Sequence, residues 1–368
     1  MKHLLVTNDF PPKVGGIQIY LWELWRRLPA GAAAVVTTAH PDAAAFDAEQ
    51  SFEVTRAGKV LLPTPRLARL IRERAAACGA ELVVLDPALP LGLLGPQLGV
   101  PYAVVVHGAE ITLPARIPGA AQALRRVLRG ASLILAAGEY VATEAAAVAP
   151  SVKVVSIPPG VDPARFTVPS PDERIRARAR WGMQHDDEVV LHVSRLVPRK
   201  GADVLIKAAA AVGRRRPNLL VMVAGSGRDE RRLRRLAAKL DSPVRFLGRI
   251  PELDKPGLYG ASDVFSHVCR NRWFGLEQEG FGIIFLEAAA CGVSAIAGAS
   301  GGTREAVLHG ETGLVIDPPT DVAGVATALD LLLSNRARAQ AFGAAGRERT
   351  VAQFGYDVLA ARLETALS

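Results

Sequence analysis

The chain has 368 residues and a formal charge of +8, a length that suits two α/β cores of roughly 150–200 residues each. With 49% hydrophobic and 22% charged residues, it can bury enough apolar surface to offset its ordering entropy, which excludes a disordered chain. Three widely spaced cysteines, Cys78, Cys269 and Cys291, with no CxxC pair, argue against a disulfide framework and a structural zinc site and fit a reducing compartment.

The first apolar run, Leu4, Leu5 and Val6, stops at Asn8 and Asp9, too short for a secretory signal. It predicts a strand over 3–7, followed by a loop and a helix with Ile17, Leu21, Leu24 and Leu28 on one face. Gly15 and Gly16 fall at that helix start, where unpaired N–H groups and the helix dipole favour an anion. The spacing is not GxGxxG, which counts against a nicotinamide fingerprint, and an ordinary glycine turn is the plainer alternative. Further strands are predicted over 34–38, 82–85, 102–106, 133–136 and 152–155, separated by helical patterns, as a parallel sheet covered on both faces requires. The strand over 102–106 ends in His107-Gly108. A histidine there can hydrogen-bond a sugar hydroxyl or move a proton, or simply cap the strand, and Glu110 beside it can accept from it or face solvent.

Residues 157–172 carry five prolines, a density that blocks helix and central strand alike and predicts the domain linker. Strands resume over 189–193, 219–224, 244–247, 264–266, 294–297 and 313–316, and from Pro319 onward the pattern is helical, with Leu332, Ala339, Phe342 and Val351 in apolar stripes. The run over 281–299 is long and apolar but carries Glu287 and three glycines, and reads as core rather than a membrane span.

Open parallel sheets bind ligands at the carboxyl ends of their strands, and the charged residues of the second half concentrate there. Arg195, Arg199 and Lys200 lie between a strand and a helix, where three cations repel one another unless an anion sits among them. A diphosphate leaving group meets that need, with Arg195 and Lys200 expected to hold it and Arg199 expected to face solvent. Stabilising a departing diphosphate is the main electrostatic demand of glycosyl transfer from a nucleotide sugar. Downstream, Glu279 and Glu287 flank the turn Gly280-Phe281-Gly282, which opens an apolar helix at Ile283. A carboxylate among Ile284, Phe285 and Leu286 is costly without donors. Ribose hydroxyls would supply two to Glu287, and an arginine partner is the structural alternative. Glu279 is placed to meet a sugar hydroxyl, with the Phe281 and Gly282 amides facing sugar or phosphate. Gly225-Ser226-Gly227 can approach a nucleotide closely, Ser300-Gly301-Gly302 can contact phosphate, and Arg249-Ile250 can wall a base.

The arginine clusters over 66–74, 125–129 and 231–235 have helical spacing and read first as solvated faces. No nucleic-acid motif accompanies them. There is no Asp-x-Asp pair, so a metal-bridged diphosphate is not indicated, and GxSxG, HExxH, Walker A and kinase signatures are absent.

Glu279-x7-Glu287, with Arg195 and Lys200 upstream and Gly15-Gly16 near the start, resembles the retaining GT-B glycosyltransferases of family 4. The segments NDFPPKVGGIQ, LLPTPR, SRLVPRKG, GSGR and EQEGFGIIFLEA are similar to actinobacterial phosphatidylinositol mannoside mannosyltransferases, which add a second, α-1,6-linked mannose from GDP-mannose. The resemblance implies two Rossmann-like domains, 1–160 and 161–350, with parallel sheets facing across a cleft, and a final segment, 351–368, crossing back to the first domain. It further implies that Arg195 and Lys200 hold the diphosphate, Glu287 the ribose, and Glu279, Phe281 and Gly282 the sugar. Gly225, Arg249, Ile250 and Ile283 would line the donor, Gly15-Gly16 would close over its phosphates, and His107 would stand on the acceptor side. No metal or other cofactor is required, the leaving diphosphate assisting deprotonation of the acceptor. A glycolipid acceptor implies a cytoplasmic protein at the inner membrane face, where Arg66, Arg69, Arg72, Trp22 and Trp25 can meet an anionic bilayer. The alternatives are a family 4 transferase with another nucleotide sugar and a soluble acceptor, or a non-catalytic nucleotide-sugar binding module. The chain reads Ala109 where these relatives usually carry histidine, Thr303-Arg304 where they carry Ala-Pro, and residues 269–275 in place of their Arg/Gly-rich insertion.

Overall fold

The computed structural model describes every residue except 109, 110, 112, 113, 115, 116, 118 and 276, and the side chain of residue 274. The chain divides into two compact units, one formed by Met1–Gly160 with Tyr356–Ser368 and the other by Val161–Gly355.

The first unit is built on seven strands: β1 (His3–Thr7), β2 (Ala33–Thr37), β3 (Val54–Arg56), β4 (Leu82–Asp86), β5 (Tyr102–Val106), β6 (Leu133–Ala136) and β7 (Val154–Ser156). All pair in parallel in the order β3-β2-β1-β4-β5-β6-β7. Their side chains alternate between two buried layers: Leu4 and Val6 pack with Ile71, Leu124 and Val127 on one face, and Leu5 packs with Tyr20, Leu24 and Leu363 on the other. That two-sided burial explains the continuous Val/Ile/Leu runs. The short edge strand β3 has no counterpart in the predicted elements, because three half-buried residues carry no readable period.

The helix Pro65–Cys78 shows why these segments fold locally. Thr64 caps Leu67 N–H at 3.2 Å, Pro65 supplies a fixed φ at the first turn, and Gly79 ends the helix in the left-handed region at φ 67°. Its inner face is Leu67, Ala68, Ile71 and Ala75, while Arg66, Arg69 and Arg72 are exposed. The C-terminal helix Tyr356–Leu367 places Tyr356, Leu359, Leu363 and Leu367 against Leu21, Leu24 and Leu28 of the first unit. Each such buried leucine contributes on the order of 1.5–3 kcal/mol.

Two expectations for the helix Gly16–Trp25 are corrected. Its buried residues are Gln18, Tyr20, Leu21, Glu23, Leu24 and Trp25, and Ile17 is exposed. Trp25, 1% exposed, is a core residue, and Trp22 is committed to Phe46 and to a 2.8 Å hydrogen bond with Gln50. Neither indole is free to enter a bilayer. Val351 is likewise exposed rather than part of an apolar stripe.

The second unit carries β8 (Glu188–Val193), β9 (Leu219–Ala224), β10 (Val244–Gly248), β11 (Val264–His267), β12 (Ser294–Gly298) and β13 (Gly313–Ile316), again all parallel, in the order β10-β9-β8-β11-β12-β13. The strand order reverses between β8 and β11, and in the first unit between β1 and β4. At such switch points the loops leaving adjacent strands diverge and open a crevice. The proline-rich stretch ends earlier than predicted: Pro171 is the first residue of the helix Pro171–Arg180, capped reciprocally by Ser170 and Glu173. Proline is favoured at that position because its missing N–H has no helical partner to lose. No helix among the described residues is long and apolar enough to cross a membrane.

Candidate active site

Each unit assembles polar side chains at the carboxyl ends of its central strands. In the first unit, Thr7 at the end of β1 lies in register with Asp86 at the end of β4. Thr7 donates to Asp86 Oδ2 at 2.6 Å and accepts from Asp9 N–H at 2.8 Å. His107, just past β5, donates from Nε2 to Asp86 Oδ1 at 2.6 Å and meets the Tyr20 ring edge-on, with centroids 5.7 Å apart. Asp86 is fully buried, so one carboxylate fixes both the histidine's ring plane and the nitrogen that carries its proton. The sequence singles out His107 but not Asp86, whose role depends on two strands 79 residues apart becoming neighbours. Glu110 lies outside the described residues.

Gly15 caps the helix Gly16–Trp25, and nothing lies within 4 Å of where a Gly16 side chain would go. Internal packing therefore does not require glycine at 16. Asp9 accepts from Lys13 at 2.8 Å and Gln18 at 2.5 Å, which ties down the loop ahead of that helix.

In the second unit, Arg199 and Lys200 occupy a single 3-10 turn, Pro198–Lys200, between β8 and the helix Ala202–Gly213. Lys200 Nζ lies 2.6 Å and Arg199 Nη1 2.8 Å from the same oxygen, Glu279 Oε2. The expectation that Arg199 faces solvent is corrected: its side chain is largely buried and also donates to Gln278 O at 3.2 Å. Arg195, by contrast, is exposed. Burial pushes the Glu279 carboxyl upward, but Lys200, His267 and Arg199 outweigh it and hold the group well below the usual carboxylate range. Its backbone is fixed as well, with Glu279 N–H donating to Ser300 Oγ at 3.1 Å and Gly302 N–H to Glu279 O at 3.3 Å. Glu279 Oε1 takes no hydrogen bond from a described residue.

Gly282, at φ 90°, turns the chain into the helix Ile283–Ala290. The amides of Gly280 through Ile284 donate to no described residue, as expected at a helix start, while the Phe281 side chain is core, 5.5 Å from Phe354. Glu287, on that helix, keeps different company. Tyr259 donates to its Oε2 at 2.7 Å, and Lys255 Nζ stands 3.7 Å from its Oε1. Where an arginine is the protein partner expected for it, the fold supplies a tyrosine and a lysine. Burial is the largest influence and raises the Glu287 pKa despite both.

The remaining candidates are distributed around this centre. A Cβ at Gly225 would overlap the carbonyl oxygen of Ser194, so that glycine is already required by the close approach of two loops. Arg249 is exposed and Ile250 packs on the edge of the core. A Cβ at Gly301 would overlap Glu279 O, which places the Ser300–Gly302 turn directly against the glutamate.

His267, at the end of β11, was not foreseen. It is fully buried, with Nε2 3.7 Å from Glu279 Oε2. Burial lowers its pKa to about 4 and keeps it neutral. The ligand atoms of His267, Cys269 and Glu279 lie within 4.8 Å of one another. A cation there would contend with Lys200 and Arg199 for the same carboxylate, and burial raises the Cys269 thiol pKa far above neutrality, so the geometry serves anion chemistry better.

Comparison with known proteins places this geometry in context. Residues 14–165 match the family described as Glycosyltransferase Family 4, and residues 173–349 match Glycosyl transferases group 1. The chain is 39% identical to the GDP-mannose-dependent alpha-(1-6)-phosphatidylinositol monomannoside mannosyltransferase of Mycolicibacterium smegmatis, covering 99% of this chain and 98% of that one. It is 37% identical to the GDP-mannose-dependent monoacylated alpha-(1-6)-phosphatidylinositol monomannoside mannosyltransferase of Corynebacterium glutamicum, covering 100% and 97%. Among solved structures, Anabaena Alr3699/HepE in complex with UDP and glucose superposes with a TM-score of 0.81 at 20% identity, covering 100% of this chain and 99% of that one. WaaG, a glycosyltransferase involved in lipopolysaccharide biosynthesis, gives 0.68 at 19% identity, covering 99% and 98%. Likeness at near full length to relatives of one activity, on a fold of two parallel-sheet units, shows that the chain belongs to the GT-B glycosyltransferases of family 4.

Proposed function

We propose that the protein transfers mannose from GDP-mannose, with retention, onto a phosphatidylinositol monomannoside glycolipid at the cytoplasmic face of a membrane. The observation that carries this reading is the 37–40% identity, over nearly the whole chain, to relatives named for that reaction. The second unit supports the chemistry. Lys200 and Arg199, with the exposed Arg195 beside them, supply positive charge where the diphosphate leaves, and Glu279 Oε1 is open to the hexose hydroxyls. In the transfer, the bond from the sugar's anomeric carbon to the diphosphate oxygen breaks. A bond from that carbon to the acceptor oxygen forms on the same face, and the acceptor proton passes to the departing diphosphate. His107, oriented by Asp86, serves the acceptor side, and no metal is assigned a step. The exposed Arg66, Arg69 and Arg72 face is the candidate contact for anionic lipid.

The test is transfer of radiolabelled mannose from GDP-mannose into an organic-phase product with phosphatidylinositol monomannoside as acceptor, alongside melting curves with GDP-, UDP- and ADP-sugars. Label entering that lipid supports the reading. Stabilisation by UDP-sugars alone would overturn the donor.

Two further outcomes follow from the geometry. Asp86→Asn and His107→Phe should each lower kcat by about 10²-fold, and the double variant should be no worse than the poorer single one, because the two residues act as a unit. Steady-state rates on the three proteins decide this.

Glu287→Gln should separate stability from binding. The amide keeps the Tyr259 contact, Lys255 keeps Glu252 at 2.7 Å, and the buried charge is gone. Melting temperature at neutral pH should hold or rise, while nucleotide affinity by calorimetry falls about tenfold as a charge-assisted ribose contact weakens. The sign follows from the raised pKa. The folded protein holds the Glu287 proton more tightly than the unfolded chain, so ionisation costs stability as pH climbs from the ordinary 4.5 through the raised value. The glutamine variant's advantage should therefore vanish in acid.

A further inference from the structure

Resting on that reading of the site, we propose that His267 is a positioning residue: a reserve hydrogen-bond donor that takes over Glu279 when a nucleoside diphosphate draws Lys200 and Arg199 onto its phosphates. Glu279 Oε2 is held by two cations that the diphosphate also needs. As they turn toward the phosphates, a carboxylate that is only 8% exposed is left in surroundings where an unpaired charge is costly. A donor already held by the fold beside that oxygen meets this cost as the cations leave.

His267 fits that requirement in position and in what it lacks. Its Nε2 stands 3.7 Å from Glu279 Oε2, just beyond hydrogen-bond length. Among the described residues neither ring nitrogen has a hydrogen-bond partner within normal length, although both are buried, and buried polar atoms in native proteins are ordinarily satisfied. Its neighbour His192 provides the contrast. That ring lies 5.1 Å away and is fully satisfied by Ser266 O at 2.9 Å and Ser194 Oγ at 2.8 Å. The His267 plane is meanwhile set by Phe265 and Phe285, at 6.5 and 5.6 Å. A ring held this way, with its proton on Nε2, has only about 0.5 Å to close to bond the glutamate when the cations depart.

The test is calorimetric binding of GDP and of UDP at fixed salt. His267→Phe, or His267→Leu should the first fold poorly, is expected to weaken the diphosphate that the wild type binds by about tenfold. His267→Gln, whose amide can donate, should stay within about threefold, and melting temperatures should confirm folding. In a Glu279→Gln background the His267→Phe loss should shrink below about twofold, since the two residues act through each other. In protein labelled at histidine, the ring N–H signal missing from His267→Gln should move when the diphosphate is added. Wild-type affinity in His267→Phe, or the same loss with and without Glu279, overturns the inference while leaving the reading of the site intact. A wild type that binds neither nucleotide overturns both.

Discussion

Lys200→Ala should lower kcat/KM for the nucleotide sugar by about 10³-fold, the loss expected when a preorganised donor to developing charge is removed from a water-poor site. Lys200 is mostly buried and sits 2.6 Å from Glu279, so the substitution removes charge from the diphosphate and a partner from the glutamate together. Arg199 remains on Glu279 Oε2, which should keep the variant folded. The pH profile of stability distinguishes these contributions. With its pKa held low, Glu279 stabilises the fold above the ordinary carboxylate value of 4.5, and that contribution is lost as pH falls through its folded pKa. The gap in melting temperature between wild type and Lys200→Ala should therefore be widest near neutrality and close in acid. Arg195→Ala, which removes an exposed side chain, should leave the melting temperature in place while weakening donor binding. Equal activity of Lys200→Ala and wild type would remove the diphosphate from this turn.

The strands were legible because a sheet buried on both faces writes itself as uninterrupted Val/Ile/Leu runs, and 3–7, 102–106, 133–136, 219–224 and 313–316 coincide with β1, β5, β6, β9 and β13. The paired glutamates were legible because a carboxylate inside an apolar helix stands out by its cost. Pairings made by the third dimension were not. Arg199 reads as a surface residue because nothing in its neighbours announces that a tight turn aims it, along with Lys200, at a glutamate 80 residues away. Asp86 lies one residue past the strand predicted over 82–85, and only its register with Thr7 and its reach to His107 give it a role. His267 is hidden for the opposite reason: a lone polar residue at a strand's end carries no pattern, and its nearness to Glu279, at 3.7 Å, appears only once the strand and the turn are brought together. Trp25 misled by type, since an indole in a basic protein suggests a membrane interface until its burial against β1 is seen.

Gly225→Ala should be among the most damaging single substitutions in the second unit, destabilising it by about 3–5 kcal/mol and lowering its melting temperature by roughly 6–20 °C for a unit of this size. Gly225 sits at φ 124°, a conformation closed to alanine without strain. A Cβ there would also drive into the Ser194 carbonyl oxygen. Neither side can yield easily. Gly225 N–H is bonded to Gly248 O at 2.6 Å, and the loop it presses on is pinned by Leu196 N–H to Ser226 O at 2.9 Å and Asp229 N–H to Leu196 O at 3.1 Å. The Ser194 loop runs directly into Arg199 and Lys200, so a displacement of about 1 Å should cost activity on the order of 10²-fold. Gly248→Ala is the control, also left-handed at φ 70° but with no atom within 4 Å of the new Cβ, and should cost about 1–2 kcal/mol. Thermal melts and donor titrations of the two variants separate the roles of Gly225. A glycine needed only to let a nucleotide approach would leave the melting temperature untouched and weaken binding alone. A glycine needed by the fold loses both together, and the overlap with Ser194 requires the second result.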